Sequence, residues 1–335
     1  MLVVGYHFSR IPFLFNFGWT GVDLFFVLSG YLISGLLFSE YKRSGRINIS
    51  RFWIRRGFKI YPSFYIMMAV TAVSLYAALG HEPPGIPEEC LFIQNYGPHI
   101  WEHTWSLAVE EHFYLLLPLL LIALIKFSSK RADPFASIPR IFLFVGVVCL
   151  GLRLIGRADG VNWIALHAET HFRIDSLFAG VLLGYLKHFR QEKFAWLTRK
   201  PMWVLGILFL LPATMMREYN PFMNAWGLTM LYIGYGCVLL SMVERPPSRG
   251  LLARGTSYIG RYSYSIYLWH GLTWPLLYRG RFDLRFLVLG VLVSIPLGIV
   301  LSKMIEMPAL HFREKLFPSR PVKGVAAYPQ IALNQ

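Results

Sequence analysis

Long apolar runs recur along this chain, and they restrict its fold more than any other feature. LLLPLLLIALI at residues 115–125 is one and VLGVLVSIPLGIVL at 288–301 is another. A helix that is apolar on every face must be covered by a large protein core or by lipid. Only 15% of the 335 residues are charged and 55% are hydrophobic, where a soluble domain carries about 25% charged residues. The chain therefore reads as all-α, a polytopic membrane helical bundle. At about 20 residues per crossing, the runs predict about ten transmembrane spans. These are a short, apparently truncated first span at 1–8, then about 19–38, 61–79, 104–125, 139–157, 173–187, 202–216, 225–243, 258–278 and 285–305.

The formal net charge of +15 could suit nucleic acid, but the apolar runs exclude that partner and the charge is confined to particular connections. Lys42, Arg43, Arg46, Arg51, Arg55, Arg56 and Lys59 lie between the second and third spans, whereas the next connection, 80–103, has neither Lys nor Arg. Lys126, Lys130, Arg131 and Arg140 follow, then Lys187, Arg190, Lys193, Arg199 and Lys200, then Arg245, Arg249, Arg254 and Arg261. Basic loops stay on the cytoplasmic side, so these connections are expected in the cytoplasm, with 80–103 outside. Arg279, Arg281 and Arg285 run against the alternation, and the four basic loops outweigh them. Residues 1–316 are expected to form one integral-membrane domain and 317–335 a short cytoplasmic tail. Cys90, Cys149 and Cys237 are too far apart for a metal set or a disulfide framework, and no metal is expected. The Asn48-Ile49-Ser50 sequon falls in a cytoplasmic loop.

Charge inside an apolar span marks the candidate sites. TWSLAVEEHFYLLLPLLLIAL, residues 104–124, holds Glu110, Glu111 and His112 where it enters the membrane. At about 1.5 Å per residue Glu110 lies about 9 Å below Thr104, on one helix face with Ser106, Phe113 and Tyr114, while Glu111 is turned about 100° away. A carboxylate here either sits among headgroups or in a structural ion pair, or faces a polar cavity where it orients an imidazole or exchanges a proton. His7 ends the first apolar run, in the outer half of its span, and an imidazole titrates near working pH. Arg55, Arg56 and Lys59 stand at i, i+1 and i+4 before the third span. They are either a topology signal that binds anionic lipid headgroups or a clamp for a phosphorylated cofactor. Pro62 suits the first turn of that span's helix. Asp23 lies near the outer end of the second span, Gly30 and Gly35 permit close helix approach, FRIDSLFAG pairs Arg173 with Asp175, and YSYSIYLWH carries His270. These too can be interface anchors or neutralised pairs.

The order GVDLFFVLSGYLIS, FWIRRGFKIYP, TWSLAVEEHFYLLLP, FRIDSLFAG, YSYSIYLWH, EMPAL resembles the membrane-bound acyltransferase-3 family from about residue 3 to 313. The family includes bacterial O-acetyltransferases of surface polysaccharides, peptidoglycan and other glycosylated acceptors. The resemblance makes His7 the catalytic histidine of a first-span Arg–ten residues–His motif. It assigns Arg55, Arg56 and Lys59 to an Arg-Arg-x-x-Arg cluster that handles acyl-CoA, and Glu110, Phe113 and Tyr114 to a Ser-x-Glu-x-x-Phe-Tyr motif. Three features depart from the pattern. The Arg of the first motif would fall before residue 1, and only six residues precede His7, which points to a start site upstream of Met1. Lys59 replaces the third Arg, and Ala108 replaces the Ser.

The resemblance implies a membrane O-acyltransferase that takes an acyl group, acetyl by family, from cytoplasmic acyl-CoA. The group passes to a hydroxyl of an extracytoplasmic or membrane-linked glycan. The expected geometry is a wet passage from the Arg55, Arg56 and Lys59 mouth to His7, with Glu110 handling a proton. The same intramembrane charges would suit a transporter, or a non-catalytic paralogue binding lipid or a partner. Acceptor identity and oligomeric state are left open by the sequence.

Overall fold

The computed structural model describes residues 2–8, 11–81, 83–128, 133–246, 250–277 and 284–318. Among these residues the chain is helical, with no strand. In chain order the helices are α1 (Leu2–Phe8), α2 (Pro12–Phe17), α3 (Gly21–Ser44), α4 (Ile49–Leu79), α5 (Ile86–Cys90) and α6 (Trp105–Phe127). Then come α7 (Ile138–Ala158), α8 (Trp163–Ala168), α9 (Thr170–Phe189), α10 (Gln191–Thr198), α11 (Met202–Met215) and α12 (Leu228–Met242). The last are α13 (Leu251–Arg261), α14 (Ser263–Leu277), α15 (Leu284–Leu301) and α16 (Met307–Leu316). Single π-helical turns, Met223–Gly227 and Ser302–Glu306, precede α12 and join α15 to α16.

Of the ten predicted spans, six coincide with helical runs long and apolar enough to cross a membrane, and the bent pair α10–α11 makes a seventh if its 73° break is one crossing. The other predicted spans fall short for separate reasons. The first is the seven-residue α1, which rises about 10 Å. The sixth lies in α9, which is 20 residues long but carries Arg173, Asp175 and Lys187. The seventh is the 14-residue α11 itself. The ninth breaks at Tyr262 into α13 and α14. Arg279, Arg281, Lys130, Arg131 and Arg249, and 319–335 of the predicted tail, lie outside the described residues. The helix α4 starts twelve residues before the span predicted at 61. The Asn48 side chain caps it by accepting the Arg51 N–H at 2.9 Å, so Pro62 lies inside the helix rather than in its first turn.

The bundle is centred on α3 and α9, whose backbones meet at Gly30 and Gly180. A Cβ on Gly30 would stand 1.9 Å from the Leu177 carbonyl oxygen, and one on Gly180 would stand 2.2 Å from that of Val27. Gly35, also expected at a close approach, would meet only the His188 ring at 3.5 Å, an ordinary contact. Around this crossing, Phe26, Ile33, Leu37, Phe64, Phe113, Leu117 and Leu177 form the apolar core.

The connections sort to two ends as the charge pattern predicts. At one end Lys42 donates to the His188 carbonyl, Arg190 meets Asp133 at 2.9 Å and Lys187 meets Glu244 at 3.5 Å. At the other, the Asn95 amide donates to Thr170 Oγ1 at 2.9 Å and the Tyr96 ring stacks on His171. The α3–α9 crossing yields a test. Gly30→Ala should destabilise the protein by about 1–3 kcal/mol or more through overpacking. Gly255→Ala, where nothing lies within 4 Å, should leave thermal unfolding in detergent unchanged. Equal midpoints for the two variants would refute the close crossing.

Candidate active site

Three histidines from distant parts of the chain meet at the end that holds the 80–103 loop. The ring of His7, from α1, lies 5.1 Å from that of His270 on α14, and His270 lies 4.8 Å from His103. The loop bearing His103 is pinned by Glu89, which accepts the Ile100 and Trp101 N–H groups at 3.2 and 3.1 Å and the Thr104 hydroxyl at 2.9 Å. Burial pushes the Glu89 carboxyl above its ordinary pKa. Gly271 leaves the space that the His103 ring fills, since a Cβ there would lie 2.3 Å from its Cε1.

Backbone carbonyls fix the tautomers of two of these rings. His103 Nε2 lies 3.1 Å from the Leu268 carbonyl and His270 Nδ1 contacts the Tyr267 carbonyl. A carbonyl only accepts, so those nitrogens carry the protons, and in the neutral rings His103 Nδ1 and His270 Nε2 keep lone pairs. A neutral His7 beside them has one N–H to donate and one nitrogen lone pair to act as a base. His7 lines two cavities, of about 350 and 530 Å³. Among the described residues, no group of three or more His, Cys, Asp or Glu side chains is arranged to hold a metal ion.

A line of polar groups runs from this cluster along one face of α6. The Tyr267 hydroxyl donates to the His103 carbonyl at 2.5 Å and receives the Ser106 hydroxyl at 2.6 Å. One turn further, Glu110 accepts the Tyr114 hydroxyl at 2.8 Å, which in turn accepts from Ser29 at 2.8 Å. Ser106, Glu110 and Tyr114 thus share a face turned into the bundle, as their spacing predicts. Glu111, on the neighbouring face, accepts the Tyr61 hydroxyl at 2.9 Å, and His112 pairs with Thr170 Oγ1 at 2.6 Å. From His103 to Tyr114 the line covers about 16 Å of helix axis.

At its far end stands the predicted basic cluster, and the structure divides it. Arg55 is held by Glu314 and the Phe317 carbonyl, both at 2.7 Å. Lys59 pairs with Glu306 of the second π turn, whose other oxygen accepts from Ser265 at 2.7 Å and Ser302 at 3.0 Å. Arg56 has no ion pair among the described residues. Its guanidinium lies over the Tyr114 ring at 5.1 Å and lines a cavity of about 580 Å³ with Trp53, Tyr61, Pro62 and Glu111. This cavity shares no lining residue with those at His7. Between it and the His7 cavities, along the face of α6, lie the hydrogen-bonded Ser29, Tyr114 and Glu110.

Asp23, Arg173 and Asp175 do not join the histidines. Arg173 pairs with Asp23 at 2.9 Å, Asp175 pairs with Arg153 at 2.8 Å, and all four side chains are fully buried. Arg173 and Asp175 are thus not the pair expected from their proximity in sequence, because residues two apart on a helix point about 200° from one another. Arg153 also donates to the Phe172 carbonyl at 2.7 Å and to Thr229 Oγ1 at 2.8 Å, so the two pairs join α3, α7, α9 and α12. Sequence reasoning missed Arg153, Glu89, His103 and Glu306. Arg153 sits in a span noted only for its apolarity, and His103 stands one residue before the stretch that drew attention.

Removing one partner of a buried pair costs about 3–5 kcal/mol, because the other charge stays buried and unanswered. Asp23→Ala should therefore lower the unfolding midpoint sharply, and Asp23→Leu combined with Arg173→Met should recover much of the loss. A single variant as stable as the parent would show that the pair is not structural.

The acyltransferase domain of the acyltransferase-3 family matches residues 1–303. Peptidoglycan O-acetyltransferase OatA of Listeria monocytogenes is 27% identical over 91% of this chain and 53% of its own length. O-acetyltransferase OatA of Staphylococcus aureus is 27% identical over 91% of the chain and 55% of its own length. A putative O-acetyltransferase of Staphylococcus aureus strain MRSA252 is 25% identical over 90% and 55%. The chain thus spans about half the length of the curated relatives it matches, and no solved structure matches it. With the family match covering nearly the whole helical bundle, the chain belongs to the membrane-bound acyltransferase-3 family.

Proposed function

We propose that the chain is a membrane O-acetyltransferase that moves an acetyl group from cytoplasmic acetyl-CoA to a hydroxyl of an extracytoplasmic or membrane-linked glycan, in the cytoplasmic membrane of a bacterium. The observation that carries this reading is the placement of His7: it lines an outer cavity beside two imidazoles whose tautomers are fixed. The named O-acetyltransferases among the relatives support the reaction class. We also read α9 as a crossing helix, since 20 residues rise about 30 Å and two of its three charges are answered inside the bundle. The domain limits 1–316 and 317–335 belong to the same reading. The transporter reading loses part of its support, because Asp23, Arg173, Arg153 and Asp175 are paired in structural contacts.

In the reaction His7 takes the acceptor O–H proton as that oxygen attacks the thioester carbonyl. The carbon–sulfur bond breaks, and the proton passes from His7 to the leaving thiolate, giving the acetyl ester and free CoA thiol. His270 and His103 hold the His7 ring, while Glu110 and Tyr114 line the donor's route. The basic mouth fits the donor's phosphates in part: Arg56 faces a cavity, whereas phosphate contact by Arg55 and Lys59 has to compete with Glu314 and Glu306.

His7→Ala should abolish both thiol release from acetyl-CoA and ester formation, while the protein still reaches the membrane. Turnover at the parent rate would remove His7 from the mechanism. Arg56→Ala should raise the KM for acetyl-CoA about tenfold at low salt, and the ratio of variant to parent should narrow as ionic strength rises. A KM unchanged at every salt concentration counts against a phosphate contact at Arg56.

A further inference from the structure

The larger cavity at His7, about 530 Å³, falls in the range of small-molecule sites, about 300–1,000 Å³. Its walls hold a set of polar atoms that the fold leaves unanswered. Gln94 donates its amide to the Thr104 carbonyl at 3.0 Å and Asn95 donates its amide to Thr170 Oγ1 at 2.9 Å, which fixes how each side chain is turned. Gln94 Oε1 and Asn95 Oδ1 have no partner, although these side chains are only 2% and 7% exposed. Glu218 is similar: Oε1 accepts the Tyr6 hydroxyl at 2.9 Å, Oε2 has no partner, and the residue is 5% exposed. Trp19 Nε1 and His167 Nδ1 also have none. Buried polar groups are nearly always satisfied, and these atoms, though covered in this structure, leave hydrogen-bonding capacity beside the cavity that suits a ligand dense in O–H groups. Trp19, Trp105, Trp163 and Tyr96 line the same cavity and offer faces for the C–H side of a sugar ring.

The charge of the wall narrows that class. Glu102, Glu169 and Glu218 all line the cavity, and none of its described lining residues is Lys or Arg. Glu169 is 3.6 Å from His171 and Glu218 is 3.7 Å from Arg217. The Arg217 guanidinium is turned onto the Phe15 ring, at 3.6 Å. We infer that this cavity is the acceptor subsite and that its carboxylates select uncharged sugars over anionic ones. The inference rests on the acetyltransferase reading and adds the acceptor's position and charge class. A hydroxyl held here lies beside His7, and an acceptor bearing carboxylates or phosphates meets three carboxylates on a wall with no Lys or Arg among its described lining residues.

The test measures binding without any acetyl donor, so it stands apart from catalysis. The full chain in detergent is titrated, by intrinsic tryptophan fluorescence, with uncharged trisaccharides of glucose, mannose, galactose and N-acetylglucosamine, and with the trimer of galacturonic acid. At least one uncharged trisaccharide should quench saturably, and the anionic trimer should bind about tenfold more weakly or not at all, as like charges across an interface disfavour association. A chain carrying Glu102→Gln, Glu169→Gln and Glu218→Gln keeps the side-chain shapes and should lose most of that preference. No saturable quenching by any uncharged trisaccharide, equal or tighter binding of the anionic trimer, or an undiminished preference in the triple variant overturns the inference. Selective binding without acetyl transfer would preserve the subsite and overturn the enzymatic reading; transfer without charge preference would do the reverse.

Discussion

Lipid offers no hydrogen bonds, so a charge buried in this bundle must be answered by another group of the protein. The two fully buried pairs, Asp23 with Arg173 and Arg153 with Asp175, meet that demand and set the positions of four helices in doing so. The first of them spans α3 and α9, which approach closely at Gly30 and Gly180, where neither helix has a side chain to hold the backbones apart. The crossing brings Asp23 and Arg173 within reach, and the ion pair then fixes the rotation of both helices about their axes.

The same rule shapes the candidate site. Along α6 each polar group has a named partner: Ser106 with Tyr267, Glu110 with Tyr114, Glu111 with Tyr61. Buried atoms without a partner occur both at the buried pairs, on Asp23, Arg153 and Arg173, and around the larger His7 cavity, on Gln94, Asn95, His167 and Glu218. The inner opening is of another kind, since two of its three cations are already held by carboxylates near the end of the described chain.

Much of this was legible in the sequence. The helical class, the shared face of Ser106, Glu110 and Tyr114, and the sorting of basic loops to one end all follow from periodicity and charge, which act locally. The count of spans did not follow, because a break at Tyr262 or a bend between α10 and α11 costs nothing that composition records. Pairing was the least legible. Arg173 and Asp175 are neighbours in sequence yet point apart on α9, and each finds its partner on a helix that only the tertiary fold brings near. His103 escaped notice for a related reason: a histidine in a loop acquires meaning only when Glu89 has pinned that loop beside α14.

The separation of the inner and outer cavities carries a cost and a benefit for the cell. A continuous wet bore through this membrane would leak protons and dissipate the gradient that the cell spends metabolism to maintain. Tyr114, bonded to Glu110 and Ser29, stands between the two cavities at His7 and the cavity at Arg56, which is walled by different residues. On the proposed reaction, a donor reaching from the Arg56 cavity toward His7 has to part those hydrogen bonds and fill the gap it opens, as in an airlock, so that neither compartment drains into the other.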